Sequence, residues 1–164
     1  MDPYRLEEVS SVSSSVGKII LLWGAVESQL NGLTQILIHP LNDPPKNKGV
    51  PNPFSQRIKL LRRCYEANSR MASIADEAVG VLMGLTPLHE RRSIIVHGDY
   101  QGVGPDSRHM FVIYRASRTE RHGWRWEYFT AEELTELAKE ITSAQRKVQD
   151  IAKRTHRLSA QQSD

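Results

Sequence analysis

The feature that most limits how this chain can fold is a change of hydrophobic period. It occurs across Glu90-Arg91-Arg92-Ser93-Ile94-Ile95-Val96-His97-Gly98-Asp99-Tyr100. Before His97, the apolar residues Val81, Leu85, Leu88 and Ile95 keep the spacing of one helix face. After Gly98 the period drops to two, which is that of a strand. The stretch reads as the last turns of a helix, a glycine stop and the start of a small sheet. Arg92 falls on the apolar helix face, where a leucine is expected. A charge at a core position is costly unless it is paired and hydrogen-bonded.

The first helix offers a partner. Val16, Ile20, Trp23, Leu30 and Leu37 form a stripe on which Glu27 lies, and Glu27 is the only acidic residue between Glu8 and Asp43. The expectation is that Glu27 and Arg92 meet across two packed helices. That helix is predicted from about Leu6 to about His39, where His39-Pro40 ends it. A proline-rich loop with Lys46 and Lys48 follows, as far as Pro53.

Asn52-Pro53 reads as the N-cap and first residue of a second helix. Phe54, Ile58, Leu61 and Tyr65 mark its apolar face, and Cys64 reads as a buried, inert thiol. Arg57, Lys59, Arg62 and Arg63 mark the other face, either as solvated surface or as a phosphate track. A third helix begins near Ala72, and Thr86-Pro87 predicts a kink or a junction between two helices.

Three strands are predicted, at 99–103, 110–116 and 124–129, with turns at Gly104–Ser107 and Thr119–Gly123. Trp124, Trp126 and Tyr128 alternate with Arg125, Glu127 and Phe129. That pattern suits either a sheet covering a helical core or a base-stacking platform. Thr130 and Glu133 form a capping box. Leu134, Leu137, Ile141, Ala144, Val148, Ile151, Thr155 and Leu158 mark the last helix, before a disordered tail at about 159–164. The expected fold is mostly α: a four- to five-helix up-down bundle in one domain over 1–164. A three-stranded antiparallel β-meander, about 99–129, is inserted before the last helix.

Composition narrows the function. The net charge of +3 permits nucleic acid as a partner without arguing for it, because the basic residues do not form one block. A single cysteine excludes an intramolecular disulfide and a cysteine-rich zinc site. No apolar run is long enough to span a bilayer, and no basic segment followed by an apolar run opens the chain, so a cytoplasmic protein without a membrane partner is expected. Zinc-type spacing, phosphate-cradling glycine loops, glycine-flanked serines and metal-type acidic pairs are absent from the sequence, and neither metal nor cofactor is expected.

What remains is Arg92 and His97, with Glu27, Arg91, Ser93 and Tyr100 as supporting residues. Five residues apart on an ideal helix means about 140° around and about 7.5 Å along the axis. Arg92 and His97 thus do not share a face, and a joint site needs a distorted helix end or a groove between helices or subunits.

Arg92-Ser-Ile-Ile-Val-His97 resembles the Arg-x4-6-His motif of HEPN domains (higher eukaryotes and prokaryotes nucleotide-binding). It stands at the end of a bundle helix and before a hairpin, and Trp23-Gly-x-x-Glu27 in the first helix extends the likeness. Ser93 occupies the position after the arginine, where the family commonly has Asn, Asp or His; Arg91 also satisfies the variable spacing to His97. The resemblance implies a metal-independent endoribonuclease, often a homodimer with its two motifs facing each other. His97 would act as general acid or base and Arg92 would stabilise charge on the phosphate, with Glu27 orienting Arg92. It also admits a non-catalytic module that binds a nucleotide or a protein partner such as an antitoxin or a nucleotidyltransferase. Independently of the family, His97 suits a helix C-terminus, where it can meet the last carbonyls.

Overall fold

The structure, a computed structural model, describes residues 3–38, 51, 53–104, 106–115 and 123–160. In chain order these give α1 (Pro3–Ile38), α2 (Phe54–Ala67), a 3-10 turn (Ser69–Met71), α3 (Ala75–His97), β1 (Asp99–Val103), β2 (His109–Arg115), β3 (Gly123–Phe129) and α4 (Ala131–Ala160). The protein is mostly helical, with a three-stranded antiparallel sheet inserted before the last helix. The expected loop at 40–50, Asn52, the second hairpin turn at 119–122 and the tail at 161–164 lie outside the described residues. Ser159 and Ala160, expected in the tail, are the last residues of α4.

The chain divides into two compact units. One comprises Met1–Leu22 and Pro87–Thr142, the other Trp23–Thr86 and Ser143–Asp164. Each of α1, α3 and α4 contributes a segment to both.

α1 buries two interleaved rows. Val12, Ile19, Val26 and Leu33 recur every seventh residue, and so do Trp23, Leu30 and Leu37. This is the repeat of a helix packed along most of its length. The expected stripe was correct for Trp23, Leu30 and Leu37 and wrong for Ile20, which is 42% exposed. Ile19 takes the buried place instead. The second row runs through Val26, so Glu27 is half-buried at the flank of the stripe rather than on it.

In the second unit, the Trp23 Nε1–H donates to Glu27 Oε1 at 3.1 Å, and the Trp23 ring packs against Phe54 at 5.4 Å. Pro53 itself is the N-cap of α2, one residue later than expected, and its carbonyl accepts from the Gln56 and Arg57 amides. Phe54, Ile58, Leu61 and Tyr65 are buried as expected. So is Arg57, whose Nε donates to the Pro51 carbonyl at 3.4 Å, which removes it from the expected basic face. Arg62 pairs with Glu66, and Lys59 and Arg63 stay exposed. Cys64 is buried, and that burial pushes its thiol pKa up, as an inert thiol requires.

The Tyr65 hydroxyl lies 2.7 Å from Thr155 Oγ1, which donates its own proton to the Ile151 carbonyl. Tyr65 is therefore the donor. α3 starts later than expected because the Ser69–Met71 3-10 turn precedes it. It then runs unbroken through Thr86-Pro87, where two helices in tandem were one expectation.

In the first unit, β2 lies between β1 and β3. One sheet face is apolar and inward, with Phe111 tilted on Tyr100 at 5.4 Å and edge-on to Phe129 at 5.8 Å. The capping box forms in full: the Thr130 amide donates to Glu133 Oε2 at 2.8 Å, and the Glu133 amide to Thr130 Oγ1 at 3.1 Å. α4 buries Leu134, Leu137, Ile141, Val148, Ile151 and Thr155, all on the predicted stripe.

Two outcomes follow from these contacts. Thr130→Ala removes one half of the capping box and should lower stability by about 1 kcal/mol in urea denaturation. Burial raises the Tyr65 pKa to about 12, above its ordinary value of 10.0. The folded state thus favours the neutral phenol, and this stabilisation is complete below pH 10 and lost as the pH rises towards 12. Denaturation across that window should show a loss on the order of 2 kcal/mol that Tyr65→Phe abolishes.

Candidate functional site

The site is built on the last turns of α3. His89, Ser93 and His97 are spaced by four residues, so they stand in a row on one helix face. With Glu90 and Ile94 they form one wall of an open cleft of about 260 Å³, and Ile113 and Tyr114 of β2 form the other. Glu90 and His97 are exposed, and His89 and Ser93 are half-buried. Imidazole, hydroxyl and carboxylate groups therefore converge on a space open to solvent. That inventory suits proton transfer.

Gly98 sets the distance between the two walls. Its amide donates to the Ile94 carbonyl at 2.8 Å and closes the last helical turn. A Cβ on Gly98 would collide with that carbonyl oxygen, and it would sit 3.2 Å from both Ile113 Cγ2 and Phe111 Cβ. The sequence reading attributed this glycine to a helix stop. The structure adds that a side chain here would strike the Ile94 carbonyl and crowd Ile113 and Phe111 of β2.

The predicted site residues separate. His97 and Ser93 line the cleft. Arg91 does not; its Nη1 donates to Glu140 Oε2 on α4 at 2.7 Å. Arg92 is half-buried and also absent from the lining residues, and its Nε is buried without a hydrogen-bond partner. Among the described residues of its own unit Arg92 forms no ion pair. Glu27 belongs to the other unit, where it accepts the Trp23 indole. Tyr100 turns to the inner face of the sheet, its hydroxyl 3.3 Å from His109 Nδ1.

Sequence reasoning passed over His89, Glu90 and Tyr114. The row of His89, Ser93 and His97 was legible as i, i+4, i+8, but it lies back from His97, away from the Arg92 spacing that singled His97 out. Tyr114 could be found only by knowing which strand folds against the helix end. Among the described residues, no three His, Cys, Asp or Glu side chains are gathered as metal ligands. No helix among them is long and apolar enough to cross a membrane.

Comparison with family models, curated proteins and solved structures finds no match for this chain. The likeness to HEPN domains thus rests on the Arg92-to-His97 spacing, its position before the hairpin, and the Trp23–Glu27 element.

Two substitutions probe this architecture. Gly98→Ala forces a Cβ against backbone and should cost about 1–3 kcal/mol in thermal or urea unfolding. Arg92→Met keeps the stem and removes a charge with a buried, unpartnered Nε. It should leave stability unchanged or raise it by about 1 kcal/mol. A loss of stability would instead reveal a partner for Arg92.

Proposed function

We propose that this chain is a metal-independent endoribonuclease of the HEPN type, with His97 and Arg92 promoting attack of an RNA 2′-OH on the adjacent phosphate. The observation that carries the reading is the exposure of His97 in a cleft beside His89, Glu90 and Ser93, rather than beneath the hairpin. A general base must be reachable by the proton it removes.

In this mechanism His97 takes the 2′-OH proton. The 2′ oxygen bonds to phosphorus, the bond to the 5′ oxygen breaks, and that oxygen takes a proton from water as it leaves, while His97 returns its own to solvent. The products are a 2′,3′-cyclic phosphate and a 5′-OH. Arg92 offsets the negative charge that gathers on the phosphate. Because Arg92 does not line the cleft of its own chain, the reading puts the reacting phosphate in a groove between two copies, with both Arg92-to-His97 segments facing it.

A second reading has an observation in its favour. Arg91 is neutralised by Glu140, Arg92 lies outside the cleft, and Ser93 stands where the family commonly has Asn, Asp or His. That set fits a non-catalytic module for a nucleotide or a protein partner, such as an antitoxin or a nucleotidyltransferase.

RNA incubated with the protein in EDTA separates the two. The ribonuclease reading expects cyclic-phosphate ends from the wild type. It also expects a loss of about a hundredfold or more in rate for His97→Ala, with the fold intact by circular dichroism. Intact RNA after incubation with folded wild-type protein would leave the binding module as the function.

A further inference from the structure

We infer that the free edge of β3 pairs with itself: two copies of this chain join there, antiparallel, and their sheets become one. The hairpin alone carries this contact, under either reading of the function.

The strand order β1-β2-β3 leaves β3 with no neighbour on its far side among the described residues. An open edge presents a row of unpaired amides and carbonyls, and proteins blunt it with proline, a bulge, a short strand or repelling charges. The other edge, β1, is blunted: it has five residues and an irregularity between Tyr100 and Gly102. β3 is not. It runs seven residues, Gly123–Phe129, without proline, and its pairing with β2 keeps an unbroken register.

The order of residues along β3 selects a second copy as the occupant. Trp124-Arg125-Trp126-Glu127-Tyr128 reads ring, cation, ring, anion, ring. A two-fold axis at Trp126 lays the same strand antiparallel beside it. Arg125 then stands opposite the partner's Glu127, and Glu127 opposite the partner's Arg125. Trp124 stands opposite the partner's Tyr128, and Trp126 opposite the partner's Trp126. Opposed residues of an antiparallel pair bring their Cβ atoms to about 4.5–5.5 Å, where opposite charges and aromatic pairs attract. A parallel, in-register copy would set cation against cation and anion against anion, so charge also fixes the direction. The contact is isologous and closes at two copies.

Both faces of β3 hold side chains that such a contact would complete. On the outer face Trp124 is 68% exposed, Trp126 50% and Tyr128 42%. Large rings gathered in water mark a contact surface. On the other face Arg125 pairs with Glu127 of its own strand, and Glu127 is the more buried of the two. Glu127 Oε1 is buried and accepts no hydrogen bond from the described residues. The partner's Arg125 brings a second guanidinium to that carboxylate. Paired strands of this length make a small interface, so the dimer is weak and depends on concentration.

The test is sedimentation velocity over a concentration series from micromolar to millimolar, along which the wild type should pass from monomer to dimer. Arg125→Glu sets acid against the partner's Glu127, and Glu127→Arg sets base against the partner's Arg125. Each variant should dimerise at least about tenfold more weakly. An equimolar mixture of the two variants restores both opposite-charge pairs across the seam and should dimerise as the wild type does. Loss of the pair within one strand cannot produce that rescue, because neither variant regains it. Circular dichroism should show both variants folded, since Arg125 is exposed and neither change touches the apolar core. Hydrogen exchange of the wild type needs no variant: outward amides of 123–129 should exchange at least about tenfold more slowly at the concentrated end of the series than at the dilute end.

A wild type that stays monomeric throughout, or exchange in 123–129 that ignores concentration, would overturn the edge pairing. So would single variants that dimerise at wild-type strength, which would place the contact elsewhere on the chain, or a mixture of folded variants that stays monomeric. None of these outcomes bears on cleavage of RNA, which is read separately.

Discussion

The joint at Gly98 is the constraint on which the candidate site depends. The Ile94 carbonyl closes the helix over the Gly98 amide, and a Cβ on Gly98 would strike that carbonyl and crowd the Ile113 and Phe111 side chains of β2 at 3.2 Å. Helix end and strand are thereby held close enough for a cleft and too close for it to fill with side chains. The row of His89, Ser93 and His97 faces Ile113 and Tyr114 across that gap. A bulkier residue at the joint would push β2 away, and the cleft would become open surface. The glycine thus ends α3 and also sets the width of the site.

What the sequence made legible was what is encoded locally. The capping box at Thr130 and Glu133, the stripe of α4 and the three strands each depend on residues a few positions apart, and each was found where predicted. The misplaced features depend on a second surface. α1 has apolar residues at both Ile19 and Ile20, and periodicity alone cannot choose between adjacent rows; the partner surface selects Ile19. Arg57 looked solvated because of its charge, although it stands three residues after Phe54 and four before Leu61 on the buried helix face; its stem packs inward and its Nε reaches the Pro51 carbonyl. The direction of the aromatic strand was undecidable for the same reason. Trp124, Trp126 and Tyr128 share one face and Phe129 the other, and only the location of the helical layer says which face is wet.

Arg91, Arg108, Arg125 and Arg154 each have a carboxylate within reach, and the pair with Glu77 raises the Arg154 pKa. These pairs are largely exposed and stabilise the fold little. Arg92 has no such carboxylate among the described residues of its unit: it is half-buried, on the apolar side of α3, with a buried Nε that lacks a hydrogen-bond partner. A helix optimised for stability alone would carry a leucine or methionine there. A buried, unpartnered Nε beside a histidine-bearing cleft is the kind of local cost that persists where a second group completes it.

The two faces of the sheet have separate tasks, and register keeps them separate. Phe111 and Phe129 face inward while Trp124, Trp126 and Tyr128 face water. A slip of one residue would exchange the faces, burying the tryptophans and exposing the phenylalanines. The irregularity between Tyr100 and Gly102 fixes the pairing of β1 with β2, and Gly102, with φ of 103°, adopts a conformation open to glycine and few other residues. Gly102 therefore bears on the register of β1 against β2, and the separate register of β2 against β3 sets Tyr114 opposite Trp124. Tyr114 also lines the histidine cleft, so β2 is one wall of the site as well as part of the sheet.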